Sequence, residues 1–147
     1  MTLDVQVETV IDRPRDEVAA YSGEPTNAPK WYTNIDSVVW NTEPPMRVGS
    51  RMTFVARFLG RRLEYTYEVA EYVPGERLVM RTTQGPFPME TTYTWTDVGS
   101  GKTRMALRNR GGPSGFAGIA APVMAASVRR STSKDLAGLK KLLESSP

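Results

Sequence analysis

The sequence contains neither cysteine nor histidine. Without cysteine there is no disulfide framework, no thiolate nucleophile and no zinc site of the Cys type. Without histidine the chain lacks the commonest metal ligand and the one side chain that titrates near neutrality unaided, which removes much acid–base and metal chemistry. No Asp-x-Asp cluster with hard-cation spacing takes its place, so metal binding has no support and no cofactor is expected. Phosphate loops are missing as well: Gly111-Gly112-Pro113-Ser114-Gly115 lacks the lysine and the surroundings of one, and reads instead as a hinge. No apolar run is long enough to span a bilayer, and the amino terminus alternates where a leader would place a basic stretch and then an apolar one. Neither secretion nor membrane insertion is expected, and the expected address is the cytoplasm.

What remains is an ordinary globular composition, with 39% apolar and 24% charged residues in 147, the size of one domain spanning 1–147. The net charge of +3 could point to an acidic partner, and Arg104, Arg108 and Arg110 share one face of a strand with Arg61 and Arg62 at a hairpin tip. The basic residues are nevertheless interleaved with sixteen carboxylates, and no aromatic side chain accompanies them on that face to stack on bases. A charged outer face that protects a sheet from stray pairing explains them, and nucleic-acid binding is not expected. Oligomeric state leaves no mark on the sequence.

Residues 3–11 alternate Leu3, Val5, Val7, Thr9 and Ile11 against Asp4, Gln6 and Glu8, the period of a half-buried strand. Pro14, with Asp16 and Glu17 after it, opens a short helix, and the segment around Pro29 reads as a second helix or turn. Six further strands follow: 36–41, 51–59, 62–72, 78–82, one from Met89 and one from Thr103. They are separated by Gly60-Arg61, Pro74-Gly75, the 84–88 loop and Gly99-Ser100-Gly101. Turns this short make the neighbours antiparallel. Past Gly112-Pro113 the period changes: Ala120, Met124, Val128, Thr132, Leu136, Leu139 and Leu143 recur every three or four residues, predicting one amphipathic helix over 122–144. Its length is on the order of 35 Å at about 1.5 Å per residue, enough to cover a small sheet. Ser114 to Ala121 reads as a mobile first turn ahead of Pro122. The expected class is α+β, a curved antiparallel sheet of seven strands in the order β-α-α-β6-α, wrapped around a long C-terminal helix.

The inward faces carry Phe54, Phe58, Tyr65, Tyr67, Met80, Met89, Tyr93, Trp95, Met105 and Leu107, joined by Trp31, Trp40, Phe116 and Met124. Rings and thioethers line adaptable pockets more than they fill rigid cores, so the expected partner is a hydrophobic small molecule in an apolar cavity between sheet and helix. The alternative is that the rings fill the space themselves and leave a module that binds protein or RNA. Glu64, Glu68 and Glu90 fall on the polar parity of their strands. Asp36, at the start of a strand, and Glu71, on the inner parity of its strand, are the carboxylates that could face inward, where a raised pKa would follow unless a bulge returns them to solvent. Two loops, 84–88 and 111–118, carry Phe87 and Phe116, which with Gly111 and Gly112 are expected to form a lid.

Several local features resemble one known group. Pro29-Lys30-Trp31 with Ile35 and Val38 is similar to its tryptophan-containing turn, Pro45-Met46-Arg47-Val48-Gly49-Ser50 to its loop before the third strand, and Glu71 to Leu78 to its hairpin between strands four and five. Gly101 to Met105 and the helix end Asp135-Leu136, Leu139-Lys140, Leu142-Leu143-Glu144 extend the likeness over the whole chain. The group is the START-like, Bet v 1-type superfamily, in its bacterial polyketide cyclase/dehydrase-like, or SRPBCC, branch. The resemblance implies a helix-grip fold and a ligand cavity. Its members include polyketide cyclases and aromatases, lipid and sterol carriers and ubiquinone-binding proteins, so it implies binding or carriage of a lipid, quinone or polyketide-like molecule, with a metal-free cyclase as the alternative. Tyr65, Tyr67 and Tyr93 are the candidate hydroxyl donors for carbonyl oxygens in that alternative.

Overall fold

The structure is a computed structural model that describes residues 3–58, 60–86, 88–112 and 120–145. β1 (Leu3–Ile11) is followed by α1 (Arg15–Ser22), a 3-10 turn at Pro25–Asn27, and α2 (Ala28–Trp31). Then come β2 (Ile35–Trp40), β3 (Arg51–Phe58), β4 (Arg61–Val73), β5 (Arg77–Gln84), β6 (Met89–Gly99), β7 (Lys102–Gly111) and α3 (Ala121–Glu144). The seven strands form one antiparallel sheet in the order β1-β7-β6-β5-β4-β3-β2, so the first strand closes one edge beside the last. This is the α+β helix-grip fold, a curled half-barrel around α3. None of the described helices is long and apolar enough to cross a membrane.

The period-two pattern translates directly into faces. In β3, Met52, Phe54 and Ala56 are buried while Arg51 and Arg57 are exposed, and in β7 Thr103, Met105 and Leu107 are buried between exposed or half-buried neighbours. The outer face is a lattice of cross-strand ion pairs, among them Arg51–Glu68 at 3.0 Å, Arg81–Glu90 at 2.7 Å and Arg108–Asp4 at 2.6 Å. Arg104 and Arg110 belong to it through Glu8, Asp4 and Glu90, so the arginines that share the outer face of β7 each face a carboxylate of their own sheet.

Boundaries differ from the sequence expectation in instructive places. Arg61 is not in the hairpin turn but opens β4 opposite Phe58. Bulges fall at Ile35/Ser37 in β2 and at Val69/Glu71 in β4. Each shifts parity by one, and the shift corrects the expectation that Asp36 and Glu71 point inward: both are exposed, Asp36 bonded to Arg57 at 2.8 Å and Glu71 paired with Arg77 at 3.2 Å. The start of α3 agrees with the expectation, since Pro122 stands in its first turn, where a missing N–H costs nothing.

α3 lies alongside β1 and caps that free edge with side chains. The Arg129 guanidinium donates to the Gln6 carbonyl at 3.1 Å and Lys140 Nζ to the Val10 carbonyl at 2.7 Å, while the Asp12 N–H donates to the Glu144 carboxylate at 2.8 Å. Such bonds spend edge groups that would otherwise recruit another strand. Their consequence is positional: they fix which stripe of α3 faces the sheet. That stripe buries Met124, Thr132, Asp135, Leu136, Leu139 and Leu143, and an aspartate is among them.

Candidate functional site

Between the concave face and α3 the interior divides. At one end it is solid: Trp31, Trp95, Met105, Leu107, Ile11 and Leu139 form a continuous packed cluster, all at most 3% exposed. The Trp95 Nε1–H there donates to Ser22 Oγ at 2.9 Å, and that hydroxyl in turn donates to the Val18 carbonyl, so the polar atoms of this pair are satisfied. At the other end lies a cavity of about 150 Å³. Its apolar wall comes from Leu3, Phe54, Ala56, Leu63, Met80 and Met124, while the half-buried Asn34, Ile35, Phe58, Val128 and Ser131 mark where it approaches solvent, between the start of β2, the end of β3 and α3.

Of the residues expected from the sequence to line a pocket, Phe54, Phe58, Tyr65, Tyr67, Met80, Met89, Tyr93 and Met124 do line this cavity. Trp31, Trp95 and Met105 do not; they belong to the solid end, and Trp40 packs against the same cluster from β2. Gly111 closes β7, paired with both Leu3 and Met89, and the Gly112 N–H donates to the Pro88 carbonyl at 3.2 Å. Phe87 and Phe116 lie outside the described residues, and so does the segment 113–119 that the lid and the mobile first turn would occupy.

Polar side chains stand among these apolar ones, Thr91 directly across from Met80 and the Tyr67 ring 5.5 Å from that of Phe54. Tyr32, from the turn after α2, and Tyr93, from β6, share a hydrogen bond of 2.5 Å between their hydroxyls. Burial pushes both phenols well above their usual range, so both stay protonated and one hydroxyl proton of the pair is left to offer. Tyr65 and Tyr67 are raised by burial as well. Gly85 permits the placement of Tyr65: its φ is +157° and a Cβ there would come within 2.7 Å of the tyrosine ring. Beside the tyrosine pair, Asp135 is only 3% exposed. Its Oδ1 accepts from the Thr33 N–H at 2.8 Å and from Thr33 Oγ1 at 3.0 Å, tying α3 to the turn that carries Tyr32. Desolvation outweighs these two bonds and pushes the carboxyl up to about 6.

A carboxylate in this position is kept at a cost. Holding it ionised at neutral pH costs on the order of 3 kcal/mol, which an asparagine would avoid. A buried acid that weakens the fold and lines a cavity is the usual mark of a functional group. Sequence inspection passed over Asp135, yet it stands four residues before Leu139, seven after Val128 and eleven after Met124, on the apolar stripe itself. Tyr32, Thr91 and Asn109 were also missed as site residues, although the last two stand on the inward parity of β6 and β7. Among the described residues no group of three or more acidic side chains could hold a metal ion.

A cavity lined by apolar side chains and hydroxyls together, gripped by a C-terminal helix, is what the family comparison addresses. The profile of the polyketide cyclase / dehydrase and lipid transport family matches residues 2–144. The chain belongs to that family. Solved structures agree on the fold: the Zhui aromatase/cyclase from Streptomyces sp. R1128 superposes with a TM-score of 0.81 at 15% identity, covering 98% of this chain and 94% of that one. A START superfamily protein from Mycobacterium smegmatis gives 0.84 at 11% identity over 96% and 97% of the two chains. Ginseng major latex-like protein 151 from Panax ginseng gives 0.74 at 12% identity over 95% and 96%. No curated protein matches the sequence. For a member of the polyketide cyclase / dehydrase and lipid transport family, then, what distinguishes this chain is carried by its own cavity residues.

Proposed function

We propose that this protein binds a small, ring-containing hydrophobic molecule in the cavity, its rings against Phe54, Met80 and Met124 and one carbonyl or hydroxyl oxygen at the Tyr32–Tyr93 pair. The observation that carries this reading is the mixed lining: apolar side chains for the ring and, among them, two buried phenols joined at 2.5 Å. A volume of about 150 Å³ suits one six-membered ring. Ligands of several rings need roughly 300 Å³ or more, and the room for them would come from Met80, Met89 and Met124, whose unbranched thioethers change rotamer easily. Native mass spectrometry of the purified protein with single-ring phenols and quinones, aromatic polyketides, fatty acids and sterols tests this. Stoichiometric retention of the aromatic compounds is expected; a protein that takes up none of the panel contradicts the reading and favours a filled interior.

A second reading, cyclisation of a poly-β-ketone with loss of water, is favoured by Asp135. A carboxyl near pH 6 in a dry cavity can take a proton from a carbon flanked by two carbonyls, while the tyrosine pair donates a hydrogen bond to the enolate oxygen. The carbanion adds to a second carbonyl carbon of the chain, Asp135 returns its proton to the alkoxide so formed, and Asp135 then takes the second hydrogen of the attacking carbon as the hydroxyl departs, the two leaving together as water. A dehydrated product from the wild type that Asp135→Asn still binds the precursor for, but does not form, would establish turnover; binding without product leaves carriage as the function.

A further inference from the structure

We propose that the cavity has a second recognition point, centred on Asn109, that accepts another oxygen of the same ligand, so that the molecule preferred is a ring bearing two oxygen functions. This rests on the binding reading above and narrows its ligand class.

Asn109 is on the inward parity of β7, directly opposite Thr91 of β6, and both line the cavity. An amide facing a largely apolar cavity is costly unless its donors and acceptors are matched. Here the matching is one-sided. The Asn109 Oδ1 accepts from Thr91 Oγ1 at 2.8 Å, and Tyr67 lies against Thr91 from β4, so the carbonyl end is fixed by a polar ledge running across the sheet. The Nδ2 end has only a 3.5 Å contact to Thr132 Oγ1 on α3. Since Nδ2 carries two hydrogens, one N–H has no acceptor among the described residues, and the planarity of the amide holds it in place once Oδ1 is committed to Thr91. Val5 lies beside Asn109 on β1, and Met89 precedes Thr91 on the inward face of β6; Val5 offers no side-chain acceptor and Met89 only a weak thioether. A ligand oxygen would complete the set.

The spacing defines the ligand further. Thr91 and Tyr93 follow one another on the same face of β6, so the Asn109 ledge lies one row, about 7 Å, from the Tyr32–Tyr93 pair. A single ring with oxygens on meta or para carbons spans that gap when its two hydrogen bonds, of about 2.8 Å each, run from the ring toward the sheet and not along the row. Toluene can use neither end and phenol only one.

Calorimetric titration of toluene, phenol, resorcinol and hydroquinone into the wild type and Asn109→Leu is the test. The better of the two diols is expected to bind the wild type about tenfold tighter than phenol, the worth of one added hydrogen bond. In Asn109→Leu that preference should fall to about one with phenol affinity retained. Asn109→Ser, whose hydroxyl is too short to take the amide's place, keeps the position polar if the leucine variant does not fold, and should lose the preference too. Equal affinity for phenol and both diols in the wild type, or an unchanged preference in the variants, overturns the second recognition point while leaving the binding reading standing. Failure of phenol itself to bind the wild type overturns both.

Discussion

The two ends of the interior are built from the same kinds of residue and do opposite things. At the solid end Trp31, Trp95 and Met105 fill the space between sheet and helix; at the hollow end Tyr65, Tyr67, Met80 and Met89 leave a cavity. What separates them is not ring or thioether content but polar groups on inward positions. The solid end carries few such groups, Ser22 with both of its bonds made and the Trp31 Nε1–H buried without a partner among the described residues, whereas the hollow end carries four tyrosines, Thr91, Asn109 and Asp135. A concentration of polar side chains on the inner parity, more than aromatic composition, is the property that marks a ligand site.

The comparison breaks most visibly by truncating the same residue type at each end. Met105→Ala, at a position 0% exposed in the solid cluster, should lower the unfolding free energy by about 3 kcal/mol, since a new void opens in close packing. Met89→Ala, at a half-buried position on the existing cavity, should cost about 1 kcal/mol and enlarge the space available to ligand. Urea denaturation of both variants decides it; equal losses would mean that the hollow end is packed as tightly as the solid one.

A second contrast is electrostatic. The folded-state pKa of Asp135 is raised, so its stabilising contribution is fully present below the ordinary carboxylate pKa near 3.8 and is lost as pH rises through about 6. Asp135→Asn should therefore unfold about 2–3 kcal/mol harder than the wild type at pH 8, with the advantage shrinking below pH 6 and absent near pH 4. Taking the difference between the two proteins cancels the other titrating groups. A variant less stable than the wild type at pH 8 would mean that the Thr33 bonds outweigh the buried charge.

The smallest effect is expected outside. Arg81→Ala removes an ion pair of 2.7 Å to Glu90 on the outer face and should cost below about 1 kcal/mol, less still in high salt. A larger loss would show that the convex lattice, and not the interior, supports the sheet.

The fold was legible because two periodicities and a change between them carry it: alternation from Leu3 to Asn109, then the three-and-four spacing from Met124 to Leu143. The site was legible only in part. Parity tells which face a residue occupies but not how far along the strand it sits, and Trp95 shares the parity of Tyr93 while lying one row further toward the solid end. Bulges reset parity at Asp36 and Glu71, where no residue type signals them. Asp135 was hidden for a different reason. A charged residue in a helix is read as solvent-facing by default, and its position on the buried stripe counts for more than its charge.

The most direct test of the central claim is an NMR titration of the protein, labelled at the tyrosine ring carbon that bears the hydroxyl and at the indole nitrogens, with phenol to saturation. The account predicts that the signals of Tyr32, Tyr67 and Tyr93 move while the Trp95 indole, bonded to Ser22, does not. Unmoved tyrosines, or a Trp95 indole that shifts with them, would contradict a ligand site at the hollow end.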